Sequence, residues 1–107
     1  MPRSPSQRFE ASLTRDNLWI YILTLLKNKE LYAYELNGKI KERFCFSPGD
    51  VTAYIVLQRL KGDGYVKASS KFKEGGPIRH YYSITPKGSV ELKKAKAIYA
   101  RYSKHLR

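Results

Sequence analysis

The chain contains little of the chemistry on which most enzymes depend. Its 107 residues include one cysteine, one methionine, one tryptophan and two histidines. A single cysteine excludes an internal disulfide and a zinc site built from several thiolates, although a bridge to a second molecule stays open. Neither His80 nor His105 has a carboxylate or thiol cluster at metal-ligand spacing, and there is no nucleophile elbow or phosphate-binding glycine loop. The sequence therefore predicts a protein that is not an enzyme and that needs no metal or cofactor.

Long apolar runs are also missing. The longest extends from Leu18 to Leu26, is interrupted by Thr24 and ends at Lys27. It is far shorter than the ~20 residues that span a bilayer. The N-terminus has no apolar core of a secretory signal peptide. We therefore expect a cytoplasmic protein with no membrane partner.

Negative charge is scarce, and the imbalance is uneven along the chain. The sequence has 21 lysine and arginine residues against 9 aspartate and glutamate residues, a formal charge of +12. Residues 61–107 contain 12 basic and 3 acidic side chains, whereas residues 1–60 contain 9 and 6. An excess of this size predicts a polyanionic partner, and the second half of the chain is the half expected to face it.

Apolar periodicity and turn residues predict three helices, a hairpin and a last helix. In chain order the predicted elements are a helix beginning near residues 14–16, helices over 32–43 and 50–62, strands over 65–72 and 78–84, and a helix over 87–105. This order predicts a mainly α fold with a small β-hairpin, a winged helix-turn-helix over residues 13–86. Residues 1–12, rich in proline and serine, are predicted to be a flexible basic arm. The arm either follows a phosphate backbone through Arg3 and Arg8 or has no role.

The last helix, over residues 87–107, has a narrow apolar seam. Its members recur three or four residues apart over two heptads: Leu92, Ala95, Tyr99, Tyr102 and Leu106. A lone helix buries such a seam either against its own domain or against a second copy of the chain. We favour a homodimer in which this helix is the dimerisation element. Trp19 lies off the apolar stripe of its own helix, where it packs either on another element or on a second copy, and it is predicted to add to the same interface.

The third helix presents candidates for reading a nucleic acid. On a helical wheel, Thr52, Ile55 and Arg59 project away from the apolar side and Gln58 flanks them, and these four are the predicted groove-facing residues. Arginine suits guanine, glutamine suits adenine and isoleucine covers a thymine methyl group. Tyr54 is expected to be half-buried with its hydroxyl near the surface, where a phosphate accepts a hydrogen bond. The alternative interpretation is an ordinary solvated helix face.

The hairpin contains a second group of candidates, a cluster of cations. Its members are Lys71, Lys73, Arg79 and His80. Contact with phosphates or insertion into the minor groove is the functional interpretation, and a solubilising patch of charge is the alternative. Tyr81 and Tyr82 are expected to separate, one ring inward and one outward, because neighbouring side chains on a strand face opposite sides.

The hairpin and two helical segments resemble a known family, the PadR-like winged-helix transcriptional regulators. Residues 75–88, GGPIRHYYSITPKG, resemble that family's wing and its exit to the last helix. Residues 31–36, LYAYEL, are similar to the opening of its second helix, although the family usually has glycine where Ala33 stands. Residues 52–60, TAYIVLQRL, and residues 64–66, GYV, are similar to its recognition helix and the strand that follows.

The resemblance covers about residues 18–88, and the C-terminal region is a short form with a single helix. It implies a homodimeric transcriptional regulator that reads double-stranded DNA with the third helix in the major groove and the wing on the flanking backbone or minor groove. Two other functions stay open. One is an architectural protein that coats duplex DNA with little sequence preference. The other is a protein-interaction module in which Tyr99 and Tyr102 anchor a partner. No residue identifies a small-molecule effector.

Overall fold

The structure, a computed structural model that describes residues 2–72 and 75–107, contains five α-helices and a three-stranded sheet in those ranges. In chain order the elements are α1 (Pro5–Leu13), α2 (Leu18–Leu26), β1 (Leu31–Tyr32), α3 (Ala33–Phe44), α4 (Asp50–Gly62), β2 (Val66–Phe72), β3 (Ile78–Ile84) and α5 (Pro86–His105). A 3-10 turn, Arg15–Asn17, joins α1 to α2. The mainly helical fold with a small sheet is the predicted one, and the predicted bounds of α4 and β3 are confirmed.

The core is formed where one face each of α2, α3, α4 and α5 meets the sheet. The largest fully buried side chains are Leu18, Ile22, Leu23, Leu36, Ile40 and Leu57. Leu92 joins this core with 3% of its surface exposed, because the first turns of α5 pack against α2 and β3. This corrects the sequence prediction for Leu92: it packs inside its own chain and is not a contact for a second copy.

Helix α1 replaces most of the flexible arm that the sequence predicted over residues 1–12. Ser4 and Gln7 form a capping box, with the Ser4 hydroxyl accepting from the Gln7 amide at 3.2 Å and the Gln7 side chain accepting from the Ser4 amide at 2.8 Å. Pro5 occupies the first turn, where its missing N–H costs nothing. Ala11 is buried. Prolines and serines that indicated disorder are thus the start signal of a helix.

Tyr21 fastens α1 to the rest of the domain. Its hydroxyl donates to the Leu13 carbonyl at 2.5 Å, and its ring makes edge contacts with Phe44 and Phe46, with centroids 4.9 and 5.0 Å away. Burial raises the pKa of the Tyr21 phenol above the ordinary tyrosine value, and the nearby Tyr99 phenol adds to the shift because two phenolates would repel. The end of α1 therefore depends on a neutral Tyr21.

Replacing Tyr21 with phenylalanine should lower the free energy of unfolding by about 1 kcal/mol at neutral pH, the typical value of one hydrogen bond. A tyrosine whose pKa is raised by folding contributes stability that is complete below the unfolded pKa and is lost as the pH rises through the folded one. The advantage of the wild type over Tyr21→Phe should therefore shrink above about pH 10. Urea unfolding of both proteins across this range tests it, and a pH-independent difference would contradict it.

The sheet has a third strand that the sequence prediction lacked. Its order is β1-β3-β2 with both pairs antiparallel, and Leu31 and Tyr32 pair with Tyr82 and Tyr81. Two residues are too few to show the apolar-polar alternation of a strand, so β1 is defined only by its pairing with β3. The predicted hairpin is confirmed, with Val66 opposite Ile84 and Lys71 opposite Arg79. The short strand joins the base of the hairpin to the start of α3.

Candidate nucleic-acid interface

The turn between α3 and α4 sets the direction of α4. Gly49 caps α4 with a φ of +93°, a conformation that favours glycine. The side-chain oxygen of Asn37, on α3, accepts from the Gly49 amide at 2.9 Å and from the Ser47 hydroxyl at 3.2 Å. One amide side chain thus holds the middle and the end of the turn. The break that the sequence predicted before Asp50 lies at this point.

Helix α4 has one buried face and one exposed face. Ala53, Leu57 and Leu60 are buried in the core. Thr52 and Arg59 are exposed, and Ile55 keeps 45% of its surface exposed. An isoleucine left open to solvent in the middle of a helix is consistent with a surface that contacts another molecule. The structure therefore places three of the predicted groove-facing residues on the outside of α4.

Gln58 lies apart from these three. It is half-buried, and its amide nitrogen donates to the Tyr82 hydroxyl at 2.9 Å. Tyr82 is 5% exposed, whereas Tyr81 is only half-buried, which confirms that the two rings face opposite sides of the wing. The buried phenol needs a hydrogen-bond partner and finds it on α4. Gln58 thus holds the wing against α4, whereas the sequence predicted a groove-facing role for it.

The first turns of α3 and α4 form an exposed apolar surface that the sequence analysis missed. Tyr34 and Val51 have 81% and 73% of their surface exposed, and both line a shallow depression with Tyr54. Tyr54, expected to be half-buried, is 50% exposed. Val51 lies on the same side of the helical wheel as Ile55, so the wheel already indicated that Val51 is exposed. Nothing in the sequence indicated a role for Tyr34, because Tyr34 lies on α3 and the residues it shares the surface with lie on α4.

The predicted cation cluster of the wing divides between two faces of the sheet. Lys71 and Arg79 are opposite each other on β2 and β3 and share one face. His80 lies on the other face, where its Nδ1 is 3.1 Å from the Ser70 hydroxyl. Lys73 lies outside the described residues. The structure therefore brings two of the four predicted cations together.

Lys71 and Arg79 stand over aromatic rings. The Arg79 guanidinium lies 4.6 Å from the centre of the Tyr32 ring, and the Lys71 ammonium lies 5.0 Å from the centre of the Tyr81 ring. The two rings contact each other edge to face at 5.6 Å. Lys71 also pairs with Glu30, next to β1. Arg79 thus keeps an exposed charge on a pre-ordered aromatic support, while the charge of Lys71 is shared with a carboxylate.

The residues predicted for an interface between copies also divide into two groups. Ala95 and Tyr99 line an apolar groove of about 270 Å³ with Leu13, Ile20 and Tyr21, between the end of α1, α2 and α5. Tyr99, Tyr102 and Leu106 have 65%, 55% and 80% of their surface exposed. Trp19 is half-buried, packs against the core and lines a different groove, beside α4. The seam therefore continues onto α1 and does not include Trp19.

Residues 2–72 and 75–107 include no group of three or more His, Cys, Asp or Glu side chains placed to hold a metal ion. Within the same ranges, no helix has the length and apolar character needed to cross a membrane.

Helices α2, α3 and α4 followed by the wing define the winged helix-turn-helix class. Residues 22–94 match the sequence model of the Transcriptional regulator PadR-like family. The chain therefore belongs to the PadR-like family of transcriptional regulators, as the wing motif indicated. An uncharacterized protein of Lysinibacillus sphaericus is 32% identical over 84 residues, which are 77% of each chain.

Solved structures of PadR proteins have the same fold. The PadR-like transcriptional regulator of Bacillus cereus superposes with a TM-score of 0.75 and 28% identity, over 89% of this chain and 92% of that one. PadR of Bacillus subtilis, whose crystal structure is a complex with operator DNA, superposes with a TM-score of 0.66 and 25% identity. That match covers 72% of this chain and 45% of the Bacillus subtilis chain.

Proposed function

We propose that the protein is a homodimeric regulator that binds specific sites on double-stranded DNA, with α4 in the major groove and the wing on the flanking backbone or minor groove. The observation that carries this proposal is the exposed face of α4. Thr52, Ile55 and Arg59 project from a helix that is held at its start by Asn37 and at its side by Tyr82. A side chain reads a base edge only from a helix of fixed position.

The surfaces around α4 support the same orientation. Tyr34, Val51 and Tyr54 project at its N-terminal end, the end that helix-turn-helix proteins place deepest in the groove. Arg79 lies on the exposed face of the wing, where it can meet a phosphate. The Bacillus subtilis relative, solved with operator DNA, has the same fold. Double-stranded operator DNA is the kind of partner that we assign to this chain.

A second copy of the chain is the occupant that we propose for the seam of α5. Tyr99, Tyr102 and Leu106 form an exposed apolar row on α5. The groove lined by Leu13 and Tyr99 continues this row. Two recognition helices about 34 Å apart would then meet a near-palindromic site.

Selection of binding sites from random duplex DNA tests the proposed function. The purified protein should recover an inverted repeat, and anisotropy titrations should favour that site over a scrambled duplex by about 4 kcal/mol or more. The alternative, an architectural DNA-binding protein, is favoured by residues 87–107, which contain seven basic side chains and one acidic side chain, Glu91. Equal affinity for both duplexes with the same steep salt dependence would establish that alternative.

Replacing Tyr102 with glutamate should weaken the dimer by about 100-fold, because a buried aromatic anchor at an interface is worth at least about 2 kcal/mol. Sedimentation equilibrium over a range of concentrations measures the change. Ala97→Glu is the matched control, since Ala97 is also exposed on α5 but lies 140° around the helix from Tyr102. A monomeric wild-type protein, or equal dissociation constants for the two variants, would contradict the proposed interface.

A further inference from the structure

The outer side of α5 has charge of a single sign. Residues 93–107 contain six basic side chains and no aspartate or glutamate. At about 100° per residue, Lys93, Lys94, Arg101 and Lys104 lie within about 50° of a common direction, and all four are exposed. At 1.5 Å per residue they extend over about 16 Å of the helix. These four residues form the basic face of α5.

The basic face points away from the seam of the same helix. The centre of the seam residues Ala95, Tyr99, Tyr102 and Leu106 lies about 160° around the helix from the centre of the basic face. Two copies of the chain that pair through the seam therefore leave both basic faces open to solvent.

The basic face also lies apart from the exposed surface of α4. At the start of α5, the Lys87 ammonium donates to the Asp63 carbonyl at the C-terminal end of α4, at 2.6 Å. Farther along, α5 lies beside α1 and α2, where Tyr99 lines one groove with Leu13 and Ile20. Helix-turn-helix proteins place the other end of the recognition helix, its N-terminus, deepest in the groove. The basic face therefore belongs to a different part of the domain from the proposed operator surface.

A solvated helix face does not account for this arrangement. Soluble surfaces mix both signs of charge, because like charges three residues apart on a helix repel. Lys93 and Lys96 have this spacing, as do Arg101 and Lys104. Within the described part of the chain, α5 has one ion pair, which joins Glu91 to a lysine at 3.9 Å. The repulsion along the rest of the helix is of the kind that a bound polyanion relieves.

We propose that the basic face holds a second DNA duplex while α4 holds the operator, so that one dimer joins two segments of DNA. A duplex has one phosphate charge per about 1.7 Å of its axis, so a row about 16 Å long meets several of them. Lysine and arginine bind phosphates without reading bases. Ala97, a small residue between the cations, lets the duplex approach. The first duplex rests on the proposed function, whereas contact between the basic face and DNA does not.

The position of the apolar residues favours DNA over a lipid surface as the partner. A helix that lies on a membrane buries an apolar face in the lipid beside its charged face. On α5 the apolar face is the seam, which the second copy covers in the proposed dimer. Duplex DNA needs the cations alone, and these stay open in the dimer.

Simultaneous binding of two duplexes tests the proposal. The first duplex contains only the selected site and has a donor dye, and the second is a scrambled duplex of the same length with an acceptor dye. At low salt, the protein should produce energy transfer between them, and sedimentation velocity should show one species with both dyes. If no species contains both duplexes, the proposal is overturned.

Two double variants locate the second duplex. Lys93→Gln with Lys104→Gln should weaken its capture by about tenfold and lower the slope of log affinity against log salt by about 2, close to 1 for each phosphate contact. Lys27→Gln with Lys41→Gln is the matched control, because it removes the same charge from exposed positions on other elements. Both double variants should bind the selected site equally well. Equal losses of the second duplex overturn the basic face as its site, and circular dichroism verifies that each variant is folded.

Two further outcomes separate this proposal from the proposed function. If selection recovers no site, but a random duplex loses affinity and salt slope only in the Lys93→Gln, Lys104→Gln variant, the proposed function fails and the basic face stands as a DNA contact. Vesicles of phosphatidylglycerol address the lipid alternative. If they bind the wild type and not this variant, and no species contains two duplexes, the face belongs to a lipid surface and the proposal is overturned.

Discussion

Replacing Gly88 with alanine should destabilise the protein by about 3 kcal/mol or more, at the upper end of the range for overpacking a core. Gly88 lies in the first turn of α5 and is buried. A Cβ atom at this position would lie 2.2 Å from the Tyr65 carbonyl oxygen and 2.9 Å from Cγ1 of Ile84. The first obstacle is main chain that also accepts a hydrogen bond from the Thr85 amide at 3.1 Å, so it cannot move aside freely.

Gly38→Ala is the matched control for this prediction. Gly38 lies inside α3, and a Cβ atom there meets nothing within 4 Å. Alanine should therefore stabilise the protein by about 0.5 to 1 kcal/mol through helix propensity. Urea unfolding of the two variants should give changes of opposite sign. A loss below 1 kcal/mol for Gly88→Ala would mean that α5 shifts away from Tyr65 at little cost.

Replacing Ile55 with aspartate should abolish most of the specific DNA binding and leave the fold intact. Ile55 is 45% exposed on the outer face of α4, so the substitution removes little from the core. A carboxylate facing the duplex loses an apolar base contact and repels phosphates. We expect an affinity about 100-fold lower, roughly 3 kcal/mol, by anisotropy on the selected site.

Val90→Asp separates this effect from the general cost of adding a negative charge. Val90 is 53% exposed on α5, and its replacement by aspartate changes the formal charge by the same amount. Its weaker, salt-dependent effect should disappear at higher ionic strength, because it acts only through long-range repulsion. Equal losses for Ile55→Asp and Val90→Asp would show that α4 does not face the DNA.

Sequence reasoning was most successful where the signal is local. Pro48 and Asp50 mark the start of α4, Thr85 and Pro86 mark the start of α5, and the Thr85 hydroxyl indeed accepts from the Gly88 amide at 3.0 Å. Alternation on β3 separated Tyr81 from Tyr82. Each of these features depends on residues within a few positions of one another, so the chain alone contains the information.

The failures share a different cause, which is contact between residues distant in sequence. The capping box that begins α1 is local, but α1 is held in place by Tyr21 and β1 by β3, and neither partner is visible in local composition. Gln58 turns to Tyr82, 24 residues away. Leu92 belongs to the same heptad pattern as Tyr99, but α2 and β3 cover only the first of the two. A periodic seam shows which residues share one face of a helix. It does not show how far along that face the neighbouring elements pack.

The pairing of β1 along only part of the wing has a mechanical consequence. Near its base the wing is a three-stranded sheet, because Leu31 and Tyr32 pair with Tyr82 and Tyr81. Beyond that point, from His80 and Ser70 outward, β2 and β3 form a ribbon of two strands. Bending stiffness therefore drops sharply along the hairpin. Main-chain amides at the base of the wing should exchange with deuterium more slowly than those of Arg79 and Lys71, and the outer ribbon can bend without disturbing α4.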